Sequence, residues 1–374
     1  TWAEFDIKNM VNRGKNNPCV IMWSIGNEIV NASVGTAQKL VNWVAEIDPT
    51  RPATQGFNNF IDGFWDNGMK QVADVTGVVG FNYGENSYDA AHAEYPDWII
   101  MGSETSSAVR SRGWYIIDDE RKIRSSYDDG QTVGWGRSAE AAWKANRDRK
   151  FVLGEFMWTG FDYIGEPSPY HDQYPAKSSY FGTVDTAGIP KDAYYIYQSQ
   201  WTAPEEHPMV HILPHWNWEN DDSIKKDGKI PVQVYSNAAS VELFLNDESL
   251  GKKEFYQRKT SDGRSYQEGE DEHIYLEWQV VYEPGELKAV ARNFEGEVIA
   301  TDVIKTAGEP SQVRLTPDRE VITSDGQDLS YILVEVLDRD GNLVPTADNN
   351  VKFQISGDGK IVGVDNGDAT EVTQ

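Results

Sequence analysis

The chain has 374 residues, a length that suits two or three domains at about 150 residues each, and 39% of it is hydrophobic, with 13 Trp and 18 Tyr. So aromatic a composition excludes a mainly disordered chain. A formal charge of −26, from 34 Lys plus Arg against 60 Asp plus Glu, disfavours nucleic acid as a partner, because the chain would repel a phosphate backbone.

In chain order, residues 1 to about 203 alternate short apolar runs with amphipathic or loop-rich stretches. Val20-Ile21-Met22-Trp23-Ser24-Ile25 is a strand-like run ending in Gly26-Asn27-Glu28. Val34, Ala37, Leu40, Val41 and Val44 then recur at helical spacing, and the helix stops at Ile47, before Asp48-Pro49. Further strand-like runs end in Thr54-Gln55-Gly56, Phe81-Asn82-Tyr83, Gly102-Ser103-Glu104 and Phe156-Met157-Trp158, and Ala139–Arg149 reads as a helix before the last. The run ends near 28, 56, 82, 104 and 158 are spaced by 28, 26, 22 and 54 residues. A (β/α)8 barrel unit takes roughly 31 residues, so three steps fit and the fourth carries an insertion. A doubly wound sheet is the alternative, but no Gly-x-Gly-x-x-Gly follows any strand. Five strands cannot close a barrel, so a partial TIM barrel is expected, with three units preceding Thr1.

Pro204, Pro208, Pro214 and the Trp216/Trp218 pair mark a junction, after which short strands separated by turns take over. The runs around Val232–Tyr235, Val241–Leu245, His273–Val281, Leu287–Ala291 and Val298–Ile304 read as an immunoglobulin-like β-sandwich over 204–308. Lys305–Pro310 reads as a linker. A second β-region begins at Val313 and turns at Asp340-Gly341; residues 309–374 are too few for a whole sandwich, so a truncated one is expected.

Apolar residues leading into Asn27-Glu28 put a carboxylate at the carboxyl-terminal mouth of a parallel strand, where barrel enzymes keep their chemistry. The alternative for Glu28 is an acidic residue complementing the next helix's N-terminus. Glu104 ends the run Ile99–Ser103 and stands at the strand's end, before polar Thr105-Ser106-Ser107. Its rival Glu155 is followed by Phe156-Met157-Trp158, which places it lower in the barrel with a structural hydrogen-bond partner. Two carboxyls facing one pocket are what glycoside hydrolysis requires: one attacks the anomeric carbon, and its charge keeps a proton on the other.

Trp23-Ser24-Ile25-Gly26-Asn27-Glu28 resembles the acid/base motif of glycoside hydrolase family 2, and Ile100–Ser106 resembles that family's nucleophile strand. Gly154–Tyr163 is similar to the final barrel strand of its β-galactosidases, and His207–Trp216 to the junction before the trailing β-domains of large bacterial members. The resemblance implies Glu28 as acid/base and Glu104 as nucleophile. It gives Asn27 a bond to the sugar 2-hydroxyl, Tyr83 a bond orienting the nucleophile, and Trp158 the wall or platform for a galactose ring. It implies a retaining exo-β-galactosidase whose partner is a β-galactoside, with the missing N-terminal part of the barrel required. The Asn-x-Lys element usual in β-glucuronidases has no counterpart in Tyr174–Tyr180, so galactoside is favoured over glucuronide and mannoside. A non-catalytic surface carbohydrate-binding protein is the alternative from another class.

No organic cofactor is implied, and no ligands can be assigned for the Mg²⁺ or Na⁺ that some members use. His207, His211 and His215 have a spacing that a helix would turn into a metal site, but Pro208 and Pro214 exclude the helix. Asp338-x-Asp340-Gly341-Asn342 lacks the closing Glu of a calcium loop. Asp118-Asp119-Glu120 and Glu268–Glu272 read as solvated loops, and Cys19 as a small core residue of an apolar strand. The lone cysteine excludes an intrachain disulfide, and no run of 18 apolar residues suggests a membrane span. With no leader visible at Thr1 the compartment stays open, a secreted or wall-attached place being slightly preferred.

Overall fold

The computed structural model describes residues 2–29, 33–58, 69–128 and 131–372. After helix α1 (Trp2–Gly14), five parallel strands pair strictly in sequence order: β1 (Trp23–Asn27), β2 (Ala53–Phe57), β3 (Val78–Asn82), β4 (Ile100–Ser106) and β5 (Val152–Trp158). Helices α2 (Val34–Ile47), α3 (Met69–Ala73), α4 (Tyr88–Glu94) and α5 (Ala139–Arg147) fall between them, and α6 (Asp192–Trp201) follows. Local chemistry accounts for the two helices read from periodicity. Ser33 caps α2 by accepting from the Thr36 amide, and the chain leaves the helix at Asp48, before proline; Ser138 caps α5 by accepting from the Ala141 amide. Burial of Val79, Phe81 and Ile100 against α2 and α4 holds the sheet to its helices. On the open side Leu153 and Phe156 of β5 are exposed, as befits part of a barrel rather than a finished one.

The first strand starts later than its apolar run suggests. Asn17 accepts from the Cys19 amide at 3.0 Å and holds a turn, so exposed Cys19 precedes the strand and takes no part in a core, contrary to expectation.

Beyond the junction lie a three-stranded sheet and a four-stranded one. The first, in the order β12-β7-β6, is built from β6 (Val210–Leu213), β7 (Ile230–Ser236) and β12 (Leu276–Val280). The second, in the order β14-β13-β8-β9, is built from β8 (Ser240–Leu245), β9 (Glu248–Glu254), β13 (Glu286–Arg292) and β14 (Val298–Lys305). All their pairings are antiparallel. Alternation puts Val241, Leu243 and Leu245 into one apolar cluster with Val232, Val234 and Trp278. A hairpin of β10 (Tyr256–Lys259) and β11 (Ser265–Glu268) projects between β9 and β12 in sequence. Neither it nor β9 is visible in the sequence pattern, because β9 is polar and exposed throughout. The expectation that Glu268 is solvated fails: its carboxylate is buried and meets Arg147 of α5 at 2.8 Å. That same cluster takes in Tyr127, Ala139, Ile196 and Tyr197, so the parallel sheet's helices and the sandwich share a core.

The last region contributes β15 (Gln312–Pro317) and β16 (Ile332–Leu337), paired antiparallel. The turn after β16 is organised by Asp338, which accepts from the amides of Gly308, Asp340 and Asn342, so its oxygens are already committed to protein donors. Among the histidines, His211 on β6 bonds Asp192, while His215 stacks on Trp218 and burial holds it at about 4. Among the described residues no three His, Cys, Asp or Glu side chains are placed to hold a metal ion, and no helix is long and apolar enough to cross a membrane.

Candidate active site

The carboxyl-terminal ends of β1, β3 and β4 bring their polar residues to one place. Asn27 of β1 and Asn82 of β3 are two strands apart, yet the Asn82 amide donates to Asn27 Oδ1 at 2.9 Å. The intervening strand permits this contact by carrying Gly56: a Cβ there would stand 2.4 Å from Asn27 Oδ1 and 2.9 Å from Asn82 Oδ1. The same Asn82 amide donates to Glu28 Oε1 at 2.8 Å, and Asn27 donates to Glu104 Oε1 at 3.0 Å. Glu28 and Glu104 are therefore joined through two asparagines. Ser103 completes the set by donating to Asn82 Oδ1 at 2.5 Å.

Tyr83 closes the other side of Glu104. Its hydroxyl donates to Glu104 Oε2 at 2.8 Å and accepts from Ser107 Oγ at 2.9 Å, while the Ser107 amide donates to the carbonyl of Trp158. Trp158, half-buried at the end of β5, meets Tyr163 edge-on with ring centroids 5.8 Å apart. Four of the residues singled out from the sequence, Asn27, Glu28, Tyr83 and Glu104, are thus joined in one hydrogen-bonded ring, and the fifth, Trp158, is tied to it through the bond of its carbonyl to Ser107. Asn82, Ser103, Ser107 and Tyr163 were missed. Asn82 carried a signal, a polar side chain closing an apolar strand, but nothing local showed which neighbours it would reach.

Backbone conformation marks the same ring. Glu28, Tyr83, Ser106 and Ser107 have φ of 49°, 54°, 68° and 55°, a region costly for such residues and tolerated where the surroundings fix them. Glu104 does not end its strand, as expected from the polar residues after it. β4 continues to Ser106, opposite Trp158, because β5 supplies pairing partners that far.

Burial raises the carboxyl of Glu104 above the usual range; Tyr83 and Asn27, as donors to the anion, oppose that rise, and the charge of Glu28 adds to it. Desolvation also drives the Tyr83 hydroxyl well up, so it stays a proton donor at any ordinary pH. Glu155 behaves differently. It lies two strand positions below Glu104, opposite Gly102, and takes a bond from Thr105 Oγ1 at 3.0 Å. A Cβ at Gly102 would meet Thr105, the Tyr88 hydroxyl of α4 and Glu155, so Glu155 and its partner Thr105 lie on the helix side of the sheet, away from the ring around Glu104. Burial lifts Glu155 to about 7. The structural reading of Glu155 stands, and its bond partner is Thr105.

Beneath the loop after β5 lies a buried ion pair, Lys191 with Asp162 at 2.5 Å, with Lys191 also donating to the Arg110 carbonyl. Burial lowers the lysine and raises the aspartic acid.

The carboxylate pair thus stands at the mouth of a parallel β/α sheet that antiparallel sheets follow, the layout of part of a (β/α) barrel with trailing β-regions. Comparison with known proteins gives the family. Residues 4–79 match the glycosyl hydrolases family 2 TIM barrel domain, 227–300 a domain of unknown function, and 313–374 the glycoside hydrolase family 2 C-terminal domain 5. The chain belongs to glycoside hydrolase family 2. It is 38% identical over 417 residues to the β-galactosidase BoGH2A of Bacteroides ovatus, covering 98% of this chain and 46% of that protein. It is 31% identical over 394 residues to a putative β-glucuronidase of Formosa agariphila, covering 100% of this chain and 36% of that one. The crystal structure of a β-glycosidase from Bacteroides vulgatus superposes with a TM-score of 0.73 at 29% identity, over 91% of this chain and 43% of that one. The chain spans less than half the length of these relatives.

Proposed function

We propose that this chain is the carboxyl-terminal part of a retaining exo-β-galactosidase. One observation carries the reading: Glu28 and Glu104, from different strands, meet at the mouth through Asn82 and Asn27. In the first step a Glu104 oxygen bonds to C1 of a terminal β-galactoside, the C1–oxygen bond breaks, and Glu28 gives its proton to the departing oxygen. In the second, Glu28 takes a proton from water as that water bonds to C1, releasing galactose and freeing Glu104. Tyr83 holds Glu104 on line, Asn27 turns from its resting partner to the 2-hydroxyl, and Trp158 offers its face to the ring. No organic cofactor enters either step. The remaining strands of the barrel complete the pocket, and turnover requires them.

Galactoside is preferred to glucuronide on two grounds. The β-galactosidase relative is the more similar of the two compared, at 38% identity against 31%. The Tyr163 hydroxyl beside Trp158 donates to Glu166, a carboxylate that would repel a uronic acid at that wall. The test is a panel of nitrophenyl galactoside, glucuronide and mannoside offered to the full-length enzyme. Galactoside should be turned over at least about tenfold more efficiently than the others. A preference for glucuronide would assign the site to uronic acids instead.

A further inference from the structure

The carboxyl-terminal region reaches back to the barrel. Its segment Asn366–Ala369 is seated on the loops beside the wall Trp158 by four separate contacts. Arg112, on the long connection after β4, donates from Nη2 to the Asn366 carbonyl at 2.8 Å while its Nε donates to buried Asp185 at 2.5 Å. Gly367 lies against that same aspartate with φ of 75°; a Cβ there would stand 2.0 Å from Asp185 Oδ2, so only glycine fits. The Ala369 carbonyl accepts from the Lys177 amide at 2.9 Å. Finally, the Ala369 side chain packs into an apolar cluster with Tyr170, Tyr180 and Phe181 that also takes in Trp158 and Tyr163.

Lys177 links this segment to the pocket. Its carbonyl accepts from the Gly165 amide, Ser179 bonds the Tyr163 carbonyl, and Ile164 pairs with Ser178. Residues 163–165 and 177–179 thus form a small ladder with Tyr163 at one end and Ala369 bonded at the other. We infer that the carboxyl-terminal domain is a working part of the substrate-binding wall, its Asn366–Ala369 segment propping the loop that holds Tyr163 against Trp158. The segment touches neither carboxylate, so it positions the wall and leaves the chemical step alone. A wall that binds the sugar ring alike in the ground and transition states raises KM when loosened and spares kcat. This inference rests on the glycosidase reading of the site and is independent of which sugar is bound.

The test uses the full-length enzyme and whichever nitrophenyl glycoside it turns over. Parent turnover is measured first, and its absence would sink the glycosidase reading itself. Ala369→Glu drives a charge into the apolar cluster, and Arg112→Gln loosens the Asn366 bond should the first variant fail to fold. In either, KM should rise by about tenfold with kcat within about twofold. Hydrogen exchange at the Lys177 amide reports whether the segment has left. A freed Lys177 amide with KM unchanged, or a fall in kcat at constant KM, would overturn the inference.

Discussion

The parallel sheet and the antiparallel sandwich use the same unusual backbone conformation for opposite ends. In the sandwich, left-handed Asn246 and Asp247 form the two-residue turn between β8 and β9, the residue types and place a hairpin requires. In the parallel sheet the left-handed residues are Glu28, Tyr83, Ser106 and Ser107, which have no such intrinsic preference, and each follows or ends a strand at the mouth. In residues suited to it the left-handed conformation builds a turn. At the mouth, in residues unsuited to it, the same conformation coincides with the hydrogen-bonded ring around Glu28 and Glu104, whereas Lys122 and Glu272 adopt it in turns elsewhere.

The largest effect that would sharpen this contrast is expected at the mouth. Glu104→Gln should lower kcat on the order of 10⁴- to 10⁶-fold, measured by steady-state hydrolysis, with folding intact by circular dichroism. Unchanged turnover would remove Glu104 as nucleophile. Next comes the buried pair below the wall. Lys191→Met leaves Asp162 uncompensated and should cost about 3–5 kcal/mol, read as a lowered urea midpoint. In the sandwich, Leu243→Ala empties a fully buried position and should cost about 2–5 kcal/mol of stability while leaving kcat at the parental value. A loss of kcat there would dissolve the distinction between the two regions.

The smallest change is a pH shift. Glu104 attacks as the anion, which is present above its pKa and lost as pH falls through it. Because burial already raises that pKa, the acid limb of kcat/KM should lie above the ordinary carboxylate range. Tyr83→Phe removes a donor to the anion, raises the pKa further, and should move the limb upward. A downward shift would contradict the bond.

Much was legible in the residues alone. Val34–Ile47 has both its helical spacing and its stop before Pro49 within a few residues of itself, and the alternation of Val241, Leu243 and Leu245 equally declares its inward face. Glu28 and Glu104 were legible as polar residues following apolar runs. The expectation that placed Cys19 in a core failed because Asn17 turns the chain first, and that for Glu268 because its cationic partner comes from α5.

Local order therefore belongs to the sequence: periodicity, caps and breakers act over a few residues, and these set the five strands, helices α2 and α5 and the two candidate carboxylates. Tertiary structure alone decided that Glu104 faces the mouth while Glu155 faces the helices, that Asn27 meets Asn82 across a glycine, and that Asn366–Ala369 returns to Arg112 and Lys177. The reason is distance along the chain. Partners separated by 55, 77 and 254 residues are chosen by packing and by the need to satisfy buried polar groups, and no short-range pattern encodes that choice.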